Sequence, residues 1–304
     1  MGGEVFGRCS RRRGTPAWSC GRTACLRIFA LLALWASPFC YGAGDSDLRP
    51  IPEQSPLSGR LGALGVVMLG EPGHVHATGT GFLVSSCHVL TAGHVIGSQG
   101  SKSAVGTQVR FAPIKGTVAV ALDDRSVRGA VVAAGESATM PGAPVQAALR
   151  NTMEDWALIE LDRPISDIDP FKILYRGAQL SASIPVSVVG YTLGSYLFSV
   201  YAHENCRIRG DLSGADLSYR ALVADCAVRE GMSGGPMLVD LHGQLVALGI
   251  VSQRVEVGSK VAVLAVSARS FGEKIASAMR SSQVCAVGQP FALPLDVVAA
   301  PKSR

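Results

Sequence analysis

The chain has 304 residues, of which 48% are hydrophobic and 17% are charged, and its formal net charge is +5. This composition excludes a disordered or collagen-like protein, and the length suits one large or two modest domains. Six of the 28 basic residues and one of the 23 acidic residues precede residue 44, which leaves 22 of each in the remainder. A dedicated nucleic-acid binder would keep a basic excess there, so we expect no nucleic-acid partner.

The first 43 residues have the pattern of a secretory signal peptide. Basic residues precede an apolar run that begins at residue 28, and small residues follow at 42–44. Even when it is counted through residue 41, the run has about 14 residues, fewer than the ~20 that cross a bilayer. We therefore predict a secreted or periplasmic protein without a stable membrane anchor, and an N-terminal segment, 44–60, that is open to trimming.

From residue 61 onward, short apolar segments alternate with clusters of Gly, Pro, Ser and Asp. The segments are rich in Val, Leu and Ile, and they predict strands at 63–69, 80–84, 118–122, 156–161, 184–190, 197–201, 245–251 and 261–266. Residues 267–279 place Phe271, Ile275 and Met279 at helical spacing, with Ser267 or Ser270 as the N-cap. The pattern predicts an all-β barrel or sandwich with a C-terminal helix and tail over 267–304.

Eight cysteines are present, and four of them lie before residue 44. Cys87, Cys206, Cys226 and Cys285 remain, in a compartment where disulfides persist. Segments 200–209 and 219–226 are predicted antiparallel strands around a turn, which places Cys206 opposite Cys226 and predicts a disulfide between them. The pairing of Cys87 and Cys285 stays open. We expect no metal and no cofactor, because no C-x-x-C pair remains in the mature chain.

Three short motifs hold the residue types of nucleophilic catalysis, in the order His, Asp, Ser. The first ends at His94, the second places Asp155 before a predicted strand, and the third sets Ser233 among glycines. A serine hydroxyl needs a base, an acid behind that base, and donors for the oxyanion that forms on attack. The G-x-S-x-G elbow of an α/β-hydrolase would require the acid and then the histidine after the serine. Only His242 follows, nine residues later, so this alternative fails.

The motifs T-A-G-H, D-W-A-L and G-x-S-G-G-P, in this order, resemble those of the trypsin-like serine peptidases, and most closely the bacterial glutamyl-endopeptidase-like branch. The resemblance runs from about residue 60 to residue 274 and implies two antiparallel six-stranded β-barrels, at 61–170 and 171–266, with the site between them. It implies Ser233 as the nucleophile, His94 as the general base and Asp155 as the group that orients the imidazole. The backbone amides of Gly231 and Ser233 would form the oxyanion hole.

The same resemblance implies four substrate-binding residues: Ala227, Ser252, Gln253 and Arg254. Ala227 stands where a trypsin-like enzyme carries an acid, which argues against cleavage after Arg or Lys. Asp225 remains an alternative pocket charge, and Arg254 would favour acidic substrate residues. Met232 stands where animal relatives carry the Asp that pairs with a new N-terminus, so we expect activity without that switch.

The sequence therefore predicts a serine endopeptidase that hydrolyses peptide bonds through an acyl-enzyme. Its partners would be protein or peptide substrates, and its oligomeric state stays open. One alternative is a catalytically silent peptide-binding relative, which the presence of all three catalytic residue types disfavours. Another is an esterase on the same site, which a comparison of ester and peptide turnover would discriminate.

Overall fold

The computed structural model describes residues 48–51, 55, 57–70, 74, 77–97, 104–113, 126–135, 152–175, 184–193, 198–209, 221–257, 260–282 and 284. The predicted signal peptide, the strand predicted at 118–122, Cys285 and the tail at 290–304 lie outside these residues. In the described part of the chain, no helix is long and apolar enough to cross a membrane.

The first barrel is a closed ring of six antiparallel strands. They are β2 (Leu64–Leu69), β3 (Ala77–Ser85), β4 (His88–Thr91), β5 (Gln108–Pro113), β6 (Val127–Ala134) and β7 (Ala157–Leu161). Their order is β2-β3-β4-β7-β6-β5, and β5 returns to pair with β2 at Arg110 and Met68. Closure removes every free sheet edge, and the interior is filled by large apolar side chains such as Leu64, Phe82 and Leu158.

The second barrel is built from an eight-stranded sheet. Its strands are β1 (Arg49–Pro50), β8 (Lys172–Ile173), β9 (Pro185–Leu193), β10 (Phe198–Arg207), β11 (Ala221–Ala224), β12 (Pro236–Leu241), β13 (Gln244–Val257) and β14 (Lys260–Ser267). The order is β1-β10-β9-β12-β13-β14-β11, and β8 pairs in parallel with β13. A bridge between Ile208 and Ala224 joins the ends of β10 and β11. The Arg209 amide also donates to the Val223 carbonyl at 2.7 Å, so six of the strands close into a ring.

The predicted C-terminal helix is present as α1 (Ala268–Arg280). Ser267 is its N-cap, because the hydroxyl accepts the Arg269 amide at 3.3 Å. Phe271 and Ile275 are buried, and the Phe271 ring lies 5.7 Å from the ring of Trp156, next to β7. The helix thus follows directly from the second barrel and packs its apolar face on the first.

The segment before the first barrel packs against the second. In β1, Arg49 and Pro50 pair with Ala202 and Tyr201 of β10, and the amide of Ile51 donates to a β10 carbonyl at 3.0 Å. Leu48 and Ile51 are each only 5% exposed. Residues 48–51 therefore form an additional strand at the edge of the second sheet.

Candidate active site

Both barrels contribute residues to one cleft. His94 lies on a short 3₁₀ turn, Gly93–Ile96, that follows β4, and Asp155 lies just before β7. Ser233 lies in the loop that enters β12. The first two residues come from the first barrel and the third from the second, so the folding of both barrels is required to bring them together.

The carboxylate of Asp155 holds the ring of His94. The Nδ1 atom of His94 lies 2.7 Å from Asp155 Oδ2, and the backbone amide of His94 donates to Oδ1 at 2.8 Å. The hydroxyl of Ser252 also donates to Oδ2. Asp155 is 0% exposed, so this set of donors replaces water around its charge. With Nδ1 held by the carboxylate, Nε2 is the ring nitrogen left to receive a proton.

These contacts set the ionisation of both groups. Burial by itself would lower the pKa of His94, but the hydrogen bond and the negative charge of Asp155 outweigh it and raise that pKa above its ordinary 6.5. Burial would likewise raise the pKa of Asp155. The hydrogen bond and charge of His94, with the Ser252 hydroxyl and the His94 amide, instead lower it below its ordinary value.

The loop that carries Ser233 is a tight turn that only glycine permits at two positions. Gly231 and Gly234 have φ of 91° and 86°, in the left-handed region. A Cβ on Gly234 would lie 2.0 Å from the Thr80 carbonyl oxygen and 2.3 Å from the Thr91 hydroxyl. The Ser233 hydroxyl donates to the carbonyl oxygen of Ser252 at 3.3 Å, which places it against β13.

In the segment 231–235, backbone hydrogen bonds leave two of the five amides unused. The amides of Met232, Gly234 and Gly235 donate to carbonyls at 2.8–3.1 Å. Among the described residues, those of Gly231 and Ser233 have no backbone acceptor. They are the two amides that the resemblance assigns to an oxyanion hole.

The cleft beside these groups has a volume of about 730 Å³. His94 and Ser233 line it, together with Ser252, Gln253 and Arg254, three of the four residues that the resemblance assigns to the substrate. Ala227, the fourth, is 1% exposed and lies outside the lining, where its amide donates to the His203 ring at 2.6 Å.

The wall of the cleft near Ala227 is formed by the residues that follow it in the sequence. Val228 and Arg229 line the cleft, and the Arg229 guanidinium lies 5.5 Å from the centre of the Tyr201 ring. Asp225, considered as a pocket charge, is not part of this lining. Its carboxylate instead pairs with the guanidinium of Arg209, at 2.7 and 3.1 Å. The charged groups of this wall are therefore the cation of Arg229 and the carboxylate of Glu230.

The predicted disulfide between Cys206 and Cys226 is present. It connects β10 to the residue just before Ala227, and so supports the segment that leads into the cleft wall. Cys87 is also disulfide-bonded, to a partner outside the described residues.

Sequence reasoning missed two contributions to the site. It placed Ser252 on the substrate strand and did not anticipate that the Ser252 hydroxyl binds Asp155. It gave Thr80 only as the first residue of the predicted strand 80–84, whereas the Thr80 side chain binds the loop of Ser233. The small residues on both sides of Thr80 were the available signal, because they permit close approach of another backbone.

No metal site accompanies this arrangement in the described ranges. Across those residues, no group of three or more His, Cys, Asp and Glu side chains could hold a metal ion.

Comparison with known proteins identifies the family. A family profile described as trypsin-like peptidase domain matches residues 79–248. A solved structure of a Glu endopeptidase in complex with MPD is 16% identical over 76% of this chain and 95% of its own, with a TM-score of 0.53. A serine endoprotease from Yersinia pestis is 16% identical over 76% of this chain and 68% of its own, with a TM-score of 0.50. No curated protein matches significantly. The profile covers more than half of the chain, including His94, Asp155 and Ser233, so this chain belongs to the trypsin-like peptidase family and has its chymotrypsin-like fold.

Proposed function

We propose that this peptidase is a serine endopeptidase that uses His94, Asp155 and Ser233 as a catalytic triad. The observation that carries the proposal is the fully buried Asp155 carboxylate, whose two oxygens bind the side chain and the backbone of His94 in a cleft that Ser233 also lines. A carboxylate held in this way fixes the tautomer and orientation of the imidazole and stabilises its cation.

The proposed reaction begins when the Ser233 oxygen attacks the carbonyl carbon of the scissile bond. The hydroxyl proton passes to His94 Nε2, and the carbonyl oxygen becomes an oxyanion that the amides of Gly231 and Ser233 stabilise. The C–N bond then breaks, and the leaving amine takes the proton from His94. Water attacks the resulting ester with His94 again as the base, which releases the acid and restores the Ser233 hydroxyl.

The substrate would bind as an extended strand along β13. β13 pairs with β12 from Gln244 to Ile250 and with β14 from Gly249 to Val257. From Gln253 to Val257, β14 is its only partner strand among the described residues. Gln253 and Arg254 of this stretch line the cleft, and backbone groups of a peptide can pair along a strand in this position. The cleft lining contains two cations, Arg229 and Arg254, and one carboxylate, Glu230, and this positive balance supports a preference for acidic substrate residues.

The proposal is tested by active-site labelling. Wild-type protein is treated with a fluorophosphonate, and the modified residue is located by peptide mass spectrometry. Covalent modification at Ser233, absent in His94→Ala, supports the triad, and modification elsewhere contradicts it. Turnover of matched fluorogenic peptides and esters separates an endopeptidase from an esterase, and labelling without turnover of either indicates another role.

We also propose that the protein is secreted or periplasmic. The signal-like first 43 residues support this, and so does the Cys206–Cys226 disulfide, since disulfides persist in oxidising compartments. N-terminal sequencing of the protein recovered from cell fractions tests it. Recovery of an unprocessed chain from the cytoplasm would contradict it.

A further inference from the structure

Thr80 of β3 joins the first barrel to the loop that holds Ser233. Its amide donates to the Ser233 carbonyl at 2.8 Å, and its hydroxyl donates to the Gly231 carbonyl at 2.7 Å. The same hydroxyl accepts the amide of Tyr191, in β9, at 2.9 Å. Thr80 is 0% exposed, so water cannot replace these bonds at its position.

The two carbonyls that Thr80 binds belong to the two residues whose amides are unused. Gly231 has the greatest backbone freedom of any residue type, and its φ of 91° is held by its surroundings. A hydrogen bond to its carbonyl fixes the peptide plane that follows and thereby restricts the rotation of Gly231. A second bond, from the Thr80 amide to the Ser233 carbonyl, fixes the peptide plane that follows Ser233. Each unused amide is separated from a fixed plane only by the φ and ψ of its own residue, so the two bonds restrict the directions of both amides.

The surroundings of Met232 contain neutral contacts. Its side chain is 0% exposed, and its sulfur accepts the Arg229 amide at 3.4 Å. Among the ion pairs of the described residues, none includes a residue of 229–235. A Cβ on Gly190, in β9, would lie 2.8 Å from the Cα of Met232 and 3.0 Å from the Thr80 hydroxyl. Met232 and Thr80 are therefore both packed closely against β9.

We propose that Thr80 is a positioning residue whose hydroxyl orders the oxyanion loop by a neutral hydrogen bond from the other barrel. The inference rests on the proposed function, because it concerns the amides that would bind the oxyanion. The first barrel already supplies His94 and Asp155 to the site. The inference adds that it also supplies the Thr80 contact, which holds the oxyanion hole. Docking of the two barrels would therefore assemble the hole and the triad together.

The substitution Thr80→Val tests this inference, since valine keeps the shape of threonine and removes only the hydroxyl. We expect a decrease in kcat of about 10- to 100-fold, because a small displacement of oxyanion donors has effects of that size. KM should change less than about 3-fold, since the substrate strand is untouched. The affinity for a peptide aldehyde, which adds Ser233 and fills the oxyanion hole, should fall in parallel with kcat. Thr80→Ser, which keeps the hydroxyl, should restore most of kcat.

Ser85→Ala is the matched control for the loss of a buried hydroxyl in the same strand. Ser85 is 6% exposed and its hydroxyl binds the ring of His88 at 2.7 Å, on the side of β3 remote from the site. We expect this variant to unfold at a lower temperature while kcat stays near the wild-type value. A merely structural role for Thr80 would make Thr80→Val behave in the same way.

The inference is overturned if the kcat of Thr80→Val is as high as that of Ser85→Ala. It is also overturned if Thr80→Val raises KM without lowering kcat. If Thr80→Val does not fold, Thr80→Ser decides: a folded serine variant with a 10-fold lower kcat would show that the methyl group, and not the hydroxyl, matters. Fluorophosphonate labelling of the wild type separates this outcome from failure of the proposed function. A wild type labelled at Ser233 with an active Thr80→Val overturns the role of Thr80 alone, whereas an unlabelled wild type overturns both.

Discussion

Removal of the Cys206–Cys226 disulfide is expected to lower the free energy of unfolding by about 3 kcal/mol. The two cysteines are 20 residues apart, and closing a loop of that length removes about 11 cal/mol/K of chain entropy from the unfolded state. Both side chains are buried, Cys206 at 4% exposure and Cys226 at 0%, so alanine is the suitable replacement at each position. Serine would instead bury a hydroxyl.

The measurement is urea denaturation of the double alanine variant, followed by far-UV circular dichroism. Either single alanine variant also breaks the bond, so each should lose nearly as much stability as the double variant. Trp156 lies in the first barrel, and its fluorescence shows whether that barrel unfolds together with the second. A loss below about 1 kcal/mol, or single variants with wild-type stability, would refute the chain-entropy argument for this loop.

The same variant should affect substrate binding more than chemistry. The disulfide precedes Ala227 and the cleft residues Val228 and Arg229, whereas Asp155 and His94 are held by the first barrel. We therefore expect KM to rise several-fold while kcat stays within about 3-fold of the wild type. A selective decrease in kcat would place the bond's effect at the nucleophile loop.

Further predictions concern the nucleophile, the base and the loop. Ser233→Ala should leave the thermal unfolding midpoint unchanged and reduce turnover to the ~10³–10⁴ over water that binding and the oxyanion hole provide, measured with a fluorogenic peptide. The acidic limb of kcat/KM should have its midpoint above pH 6.5, because Asp155 raises the pKa of His94 and the neutral imidazole is the base; a midpoint below 6.5 would contradict this. Gly234→Ala should abolish labelling of Ser233 by displacing the loop. Chains that begin at Gly44, with and without an added Met-Gly, should have equal specific activity, since the thioether of Met232 has no charge with which a free amino group could pair.

The strands that the sequence predicted were those with continuous apolar runs. Seven of the eight predicted segments correspond to β2, β3, β7, β9, β10, β13 and β14, and the eighth lies outside the described residues. β4, β5, β6 and β12 were not among the predicted segments, and in β5 and β6 the arginines Arg110 and Arg128 interrupt the apolar pattern. Arg110 and Arg128 lie opposite one another on the paired strands β5 and β6. In each strand the arginine alternates with buried neighbours, so the strand continues through it.

The site residues were predictable where a local motif exists and were missed where only folding brings groups together. His94 and Asp155 stand in recognisable local motifs, and their contact follows from the pairing of β4 with β7. The bond from Thr80 to Gly231 spans 151 positions of sequence and joins two barrels, so no local pattern contains it. The sequence position of Ser252 predicts its strand, but whether its hydroxyl faces Asp155 depends on how the barrels dock.

The edge strand β1 has a consequence for maturation. Because its partners on β10 include Tyr201, whose ring lies beside Arg229 in the cleft, residues 48–51 support the wall of the cleft at Tyr201. Proteolysis after Arg60 would remove that strand, uncover apolar side chains and break the ion pair of Arg60 with Asp240. A processing protease would thus weaken the enzyme by cutting there, and the functional N-terminus should lie ahead of Leu48.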